Sequence, residues 1–423
     1  MSLPSPGWRI GLPLALLPAA VALHAPLQAR GPDPLVRVLL QEATAVEVGV
    51  AGSTPLRVSD GRGRTLMELA PGRRLRLRTS GSGLRAELLP ARGKAASPLR
   101  TVTLPEQTAW IDPAPGSGSL LVLNERRFRG RLQILPAGSR LRAINHIGLE
   151  SYLASVVGSE MPASWPQAAL RAQAVAARTY ALRKLGSAAP FDLKATVASQ
   201  VYRGVEAETS STRQAVAGTR SQVLMHGPSL IDAVFHSSSG GATENSGEIW
   251  SRQLPYLVSV PDFDDHSPMR RWEKRFEPQD LGRAFPETGG VVAIDVLATS
   301  PSGRIRSARV RGPRGSLVVK GADLRKRLDL RSTLVSFRFE AAPAPGDPTL
   351  ASAGGPVPLP VFSVAGSSRL AVAPAMVATG RGFGHGVGMS QWGAYGLARK
   401  GRSHEEILRH FYRGVDVRPY AFR

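Results

Sequence analysis

Glu160 stands in an apolar frame, Val156-Val157-Gly158-Ser159-Glu160-Met161-Pro162, with no second carboxylate close by in sequence. Apolar neighbours disfavour the charged form of a carboxyl group and keep it protonated to higher pH. Such a group can donate a proton near neutral pH and act as an acid catalyst. The competing reading is a glutamate that ends a helix or pairs with an arginine, since structural ion pairs also perturb carboxylates.

Two further segments are dense in polar chemistry. Gly380 to Ala394 reads Gly-Arg-Gly-Phe-Gly-His-Gly-Val-Gly-Met-Ser-Gln-Trp-Gly-Ala. Its glycines alternate with single residues, which is neither a dinucleotide fingerprint nor a phosphate loop, because Lys-Ser/Thr is absent. Glycines at that spacing permit tight turns that present His385, Ser390, Gln391 and Trp392; a purely structural hairpin is the alternative. A Trp beside a Gln suits stacking and hydrogen bonding to a sugar. The other segment, His236 to Asn245, is almost entirely small and polar and follows an apolar strand. It can offer hydroxyls and backbone N–H groups to a sugar, or be a plain polar turn. It lacks the G-x-S-x-G elbow of the α/β-hydrolases.

Metal binding has a weaker pattern. His404-Glu405-Glu406 with His410 does not match H-E-x-x-H, and these histidines fit a solvated helix. His236 and His385, if they met in space, could hold zinc with Glu244 or Asp262.

The elements that must position these residues are predicted as follows. Residues 34 to about 145 are β-rich, with short apolar runs such as Val36–Leu40 and Leu120–Leu123 between Gly, Pro and Ser turns. Arg74-Leu75-Arg76-Leu77-Arg78 suits a strand with one basic face. From Gly148, Leu149, Tyr152, Leu153, Val156 and Val157 recur at helical spacing. An alanine-rich helix follows, with Ser164 as N-cap, Gln167 completing a capping box and Gly186 ending it. That places Glu160 in the short connection between two helices. Residues 191–260 are read as strands and turns, with Val201-Tyr202 and Ala233–Phe235 as strand candidates. Residues 278–340 form a smaller inserted α+β unit, and 341–360 a Pro/Ala/Gly-rich linker. Ser403 caps a short helix near 402–412. The fold class expected is α+β, a helix pair packed on strands, with a β-rich region at 30–119 and a main domain at 120–423.

The chain has 423 residues, too many for one small core, and an ordinary apolar fraction of 42%. Its formal net charge of +22 implies attraction to polyanions: nucleic acid, anionic lipid or an acidic cell-wall polymer. The basic residues are spread, and no nucleic-acid motif accompanies them. With no cysteine, disulfides and thiolate metal sites are excluded. Arg9, the uncharged apolar run Ile10–Leu23 and the small residues after it read as an export signal over 1–29. Ala20-Val21-Ala22 and Leu27-Gln28-Ala29 are the candidate cleavage sites, and an uncleaved membrane anchor is the alternative. An exported protein of the periplasm, cell wall or extracellular space is expected.

Four separated segments in order resemble the SpoIID/LytB family (stage II sporulation protein D and the amidase enhancer). They are Glu160-Met161-Pro162, Ala172–Tyr180, Phe235–Gly241 and Gly382–Ala394, within a resemblance covering about 120–420. It implies peptidoglycan as substrate. Members that are enzymes are lytic transglycosylases, preferring strands stripped of stem peptides. They cut between N-acetylmuramic acid and N-acetylglucosamine and leave a 1,6-anhydro end. The family's catalytic glutamate falls on Glu160, with Arg178, His236, Ser237, Ser239, His385, Ser390, Gln391 and Trp392 expected to bind the sugars or orient it. Some relatives bind zinc through cysteines; their absence here leads to an expectation of no metal and no cofactor. The partners expected are glycan strands and, in an alternative non-catalytic role, a cell-wall amidase that the protein activates. A serine hydrolase using Ser239 or Ser390 with His236 or His385 is disfavoured by the missing elbow.

Overall fold

The computed structural model describes residues 33–340, except 82, 92–96 and 105–106, together with 375–421. The export signal expected at 1–29 and the linker expected at 341–360 lie outside the described residues.

The molecule is α+β, as expected. Alternating apolar residues build two large sheets. One has seven strands, in the order Leu193–Lys194, Leu35–Ala43, Arg140–Gly148, Arg131–Ala137, Ala109–Pro113, Leu56–Asp60 and Thr65–Leu69. It draws strands from both sides of residue 120, so a division at 119/120 cuts through a sheet. The other has six strands, from Arg126–Phe128 to Arg100–Leu104. Within it Leu75 and Leu77 are fully buried. The basic face of that strand is partly neutralised: Arg74 and Arg76 donate to Glu47 at 2.8 and 2.7 Å.

The helices among the described residues are α1 (Leu149–Glu160), α2 (Gln167–Lys184), α3 (Ser210–Ala217), α4 (Ser246–Ile249), α5 (Pro278–Ala284), α6 (Gly321–Arg327), α7 (Gln391–Arg399) and α8 (His404–Phe411). Strand Arg140–Gly148 runs straight into α1, whose Leu149, Tyr152, Leu153, Val156 and Val157 are all buried. α2 is the hub of this half. Its buried alanines carry little side-chain bulk, so α1, α3, α7 and α8 all pack against it.

Local expectations need correction at several points. Ser164 does not cap α2: Pro166 is the N-cap, and the chain first turns through a Trp165 N–H to Pro162 C=O bond. Gln167 instead donates to the Ser211 hydroxyl at 2.8 Å, tying α2 to α3. Val201-Tyr202 forms no strand, and α3 occupies a stretch read as strands and turns. Glu160 is the last residue of α1 rather than part of a connection.

The smaller unit has its own core, built on Trp272, Phe276, Leu281, Phe285, Ala308, Val310, Leu324 and Met376. Two three-stranded sheets carry it: Trp272–Phe276, Met376–Gly380 and Val335–Phe339 in one, and Ala293–Thr299, Ile305–Gly312 and Gly315–Lys320 in the other. It therefore begins before 278 and includes a strand beyond 374.

Arg178 does not face a cleft. It is fully buried on α2, with Nε and Nη2 each donating to a Glu150 carboxylate oxygen at 2.8 Å. Its remaining donors reach the Gln222 and Val216 carbonyls at 3.2 and 3.3 Å. A guanidinium satisfied in this way fastens α1 to α2 and α3. Removing one partner of a buried pair strands the other charge, at a cost of about 3–5 kcal/mol. Glu150→Ala is expected to lower the unfolding free energy by roughly that amount in urea denaturation, whereas a change within about 0.5 kcal/mol would show that the pair is not structural.

Candidate active site

Glu160 owes its position to close packing at the end of α1. Gly158 lies against the chain at Ala207, where a Cβ would come 1.9 Å from the carbonyl oxygen. Ser155 donates to the Gly204 carbonyl at 2.7 Å. These contacts fix segment 200–208 beside the helix terminus. The Val201 N–H then donates to Glu160 Oε1 at 2.8 Å. The Gln391 amide donates to Oε2 at 3.0 Å, as the first residue of α7.

Gln391 is aimed by its neighbours. Ser390 is the N-cap of α7, its hydroxyl accepting the Gly393 N–H at 3.0 Å. Met389–Ser390 pairs in parallel with Phe235–His236, which joins the two polar segments singled out from sequence. The alternating glycines make this junction possible. At Gly384 (φ 120°) a Cβ would lie 2.7 Å from that of His236, and at Gly388 (φ 71°) one would lie 2.2 Å from the Val234 carbonyl. No side chain fits there, and L residues avoid such φ values.

The result is a cavity of about 670 Å³ lined by Glu160, His236, Ser237, His385 and Gln391, with Tyr180, Ser199, Trp250, Arg325 and Phe383 among the remaining wall residues. Among the described residues Glu160 is the only carboxylate in that wall. Burial raises its pKa above the ordinary 4.5, opposed by the Val201 and Gln391 hydrogen bonds and by the Arg203 charge. Burial also lowers both histidines, His385 to about 4 and His236 well below its usual value, so both are neutral at pH 7. Their ring centroids are 5.3 Å apart.

Those rings do not assemble the zinc set considered above. His236 spends its nitrogens on the Val387 carbonyl (3.1 Å) and Ser239 hydroxyl (2.8 Å). His385 uses the Phe235 carbonyl (3.1 Å) and Val387 N–H (3.0 Å). Glu244 is turned to the Ser300 and Ser302 hydroxyls, and Asp262 to the Ser239 N–H.

Several expected site residues lie behind the wall. Ser239 and Ser390 are fully buried. Ser239 orients His236, and Ser390 caps α7, so neither is reachable as a nucleophile. Trp392 does not line the cavity; it packs edge-on against Trp165 and near Tyr395, with centroids 4.6 and 5.5 Å away. Conversely, sequence reasoning missed the Val201 N–H, a backbone donor with no side-chain signature. It also missed Arg325, whose Arg-Lys-Arg context resembles a solvated helix end, and the exposed aromatics Trp250 and Phe383.

Comparison with known proteins gives a consistent picture. A family model described as SpoIID, stage II sporulation protein, matches residues 137–226. Stage II sporulation protein D of Bacillus subtilis (strain 168) is 30% identical over 298 residues, covering 65% of this chain and 76% of its own length. An uncharacterised protein of Brachyspira hyodysenteriae is 31% identical over 302 residues, covering 70% and 74%. The amidase enhancer of Bacillus subtilis (strain 168) is 31% identical over 292 residues, covering 63% of this chain and 40% of its own.

The raised Glu160 pKa has a stability consequence. A carboxyl whose folded pKa exceeds its unfolded one stabilises the fold fully below the unfolded value, and that contribution is lost as pH rises through the folded value. Glu160→Gln keeps the shape without the charge. The variant is expected to melt above the parent at pH 7, with the gap closing as pH falls below the ordinary 4.5. Thermal melts across pH check this; a gap independent of pH would contradict it.

Proposed function

The chain belongs to the SpoIID/LytB family, and on that premise we propose that it is a peptidoglycan lytic transglycosylase with Glu160 as its acid and then its base. The observation that carries this reading is the single carboxylate that the described residues bring to the cavity wall. Hydrolytic glycosidases ordinarily flank the scissile bond with two carboxyl groups, one to activate water or form a covalent intermediate. A reaction whose nucleophile is a hydroxyl of the substrate needs one group only.

In the proposed step, protonated Glu160 donates to the glycosidic oxygen as its bond to C1 of the muramic acid breaks. Positive charge develops at C1, and the carboxylate just formed lies beside it. That carboxylate accepts the proton of the C6 hydroxyl while O6 bonds to C1. The 1,6-anhydro ring closes, Glu160 is protonated again, and no water is consumed. The Val201 N–H and Gln391 amide hold the carboxylate between the two transfers, and burial favours its reprotonation. Ser237 would hydrogen-bond sugar hydroxyls or acetamido groups, and the neutral histidines, their ring nitrogens already bonded within the protein, would shape the wall beside it. Trp250 and Phe383, 40% and 41% exposed, offer ring faces to the saccharide.

A second reading rests on the relative named amidase enhancer: a wall-binding protein that activates a cell-wall amidase without cutting glycan. On either reading the protein would work outside the cytoplasm, and its excess of positive charge would hold it near an anionic wall.

Digestion of peptide-stripped peptidoglycan followed by mass spectrometry tests the proposal. The parent is expected to release 1,6-anhydro ends, and Glu160→Gln to release them at least about 100-fold more slowly. Reducing ends from the parent would mean hydrolysis, and binding without any cleavage would favour the amidase-activating role.

A further inference from the structure

The smaller unit reaches the cavity through one side chain, Arg325 on α6. Its neighbours in Arg325-Lys326-Arg327 behave as an ordinary helix end: Lys326 is exposed, while Arg327 pairs with Glu287 at 2.9 Å and lies over Phe285. Basic residues in a last turn also complement the helix dipole. Arg325 departs from that pattern. It is half-buried and forms part of the wall that carries Glu160, His236 and His385. Its Nε donates to the Leu330 carbonyl at 3.1 Å, which fixes the plane of the guanidinium. Among the described residues neither Nη has a hydrogen-bond acceptor and no carboxylate forms an ion pair with the group. Asp329, the acid whose charge acts on it, is exposed and bonded to Lys274 at 3.1 Å.

A half-buried, oriented guanidinium in a cavity wall, with no ion pair among the described residues, is a poor structural element. Burying a cation without its counter-charge costs stability, and Arg178, whose role is structural, has an acceptor at Nε, Nη1 and Nη2. The free edge of the Arg325 fork matches a planar anion that can accept two parallel hydrogen bonds, which is the geometry of a carboxylate. The two histidines beside it are neutral, so among the described residues nothing else in that part of the wall supplies positive charge, and the only acid there is Glu160.

We propose that Arg325 is a specificity-determining residue that binds a carboxylate carried by the saccharide in this cavity. This inference rests on the peptidoglycan reading above. In a strand of alternating N-acetylglucosamine and N-acetylmuramic acid, the anionic group of the sugar itself is the ether-linked lactate. That lactate is a carboxylate only where no peptide has been joined to it; in an amide linkage it loses the charge and one acceptor oxygen. Arg325 would thus admit the bare acid, discriminate against the amide, and place the muramic ring with respect to Glu160.

The test is calorimetric binding to the mature full chain carrying Glu160→Gln, so that the ligand survives. The probes are a peptide-free tetrasaccharide of the two sugars, the same compound with its lactates converted to methylamides, and an N-acetylglucosamine tetrasaccharide. The acid form is expected to bind at least tenfold more tightly than the methylamide. Arg325→Gln should erase that gap while leaving methylamide binding unchanged, and Arg325→Lys should restore part of it. A parent that binds acid and methylamide equally overturns the inference while the glycan reading stands, and that comparison needs no Arg325 variant to fold. Equal weakening of both ligands by Arg325→Gln also overturns it, as a packing effect. A parent that binds none of the three overturns the glycan reading, and the inference with it.

Discussion

The site depends on one carboxyl group held by donors from two distant stretches of chain. Glu160 receives the Val201 N–H from 41 residues away and the Gln391 amide from 231 residues away. Burial pushes its pKa up and the two hydrogen bonds pull it down, with burial the larger effect. A group balanced in this way can exist in either protonation state at modest cost, which is what an acid that becomes a base requires. Much of the surrounding architecture serves that balance: α1 ends at the cavity, segment 200–208 is packed against it, and α7 begins with the second donor.

Bringing the third partner to the site sets the demand for glycine. The segment 380–394 must cross the loop after Phe235 at backbone contact distance. The smaller unit is attached at the same crossing. Arg304 is almost completely buried, with Nη2 donating to the Ser239 carbonyl at 2.7 Å and its Nε 3.9 Å from the buried Glu244. Ser300 and Ser302 add hydroxyl bonds to Glu244. The unit that carries Arg325 is thus anchored to the loop that carries His236, so one wall of the cavity is positioned through buried polar contacts rather than through a continuous apolar core.

Much of this was legible in the residues themselves. Apolar periodicity located α1, α2 and strands such as Leu35–Ala43, Arg74–Ser80 and Leu120–Leu123, because each element buries one face. The chemistry-bearing segments were visible because glycine, histidine and serine at such density serve no core. What was not legible depends on tertiary context. Arg178 looked like a cleft residue until its buried partner Glu150 was placed beside it. Ser239 and Ser390 have hydroxyls suited to substrate, yet both are consumed in orienting neighbours. Val201 contributes through its backbone, which every residue shares. Arg325 sits in a run of basic residues whose other members face solvent, and only the packing of α6 separates it from them.

The most direct measurement is the titration of Glu160 itself, by carbon-detected NMR of glutamate labelled at the side-chain carboxyl, with Glu160→Gln identifying the resonance. The account predicts a carboxyl that titrates above the ordinary 4.5 and moves higher still when Gln391→Leu removes a donor to the charged form. A resonance titrating at or below 4.5, or one indifferent to Gln391, would contradict it.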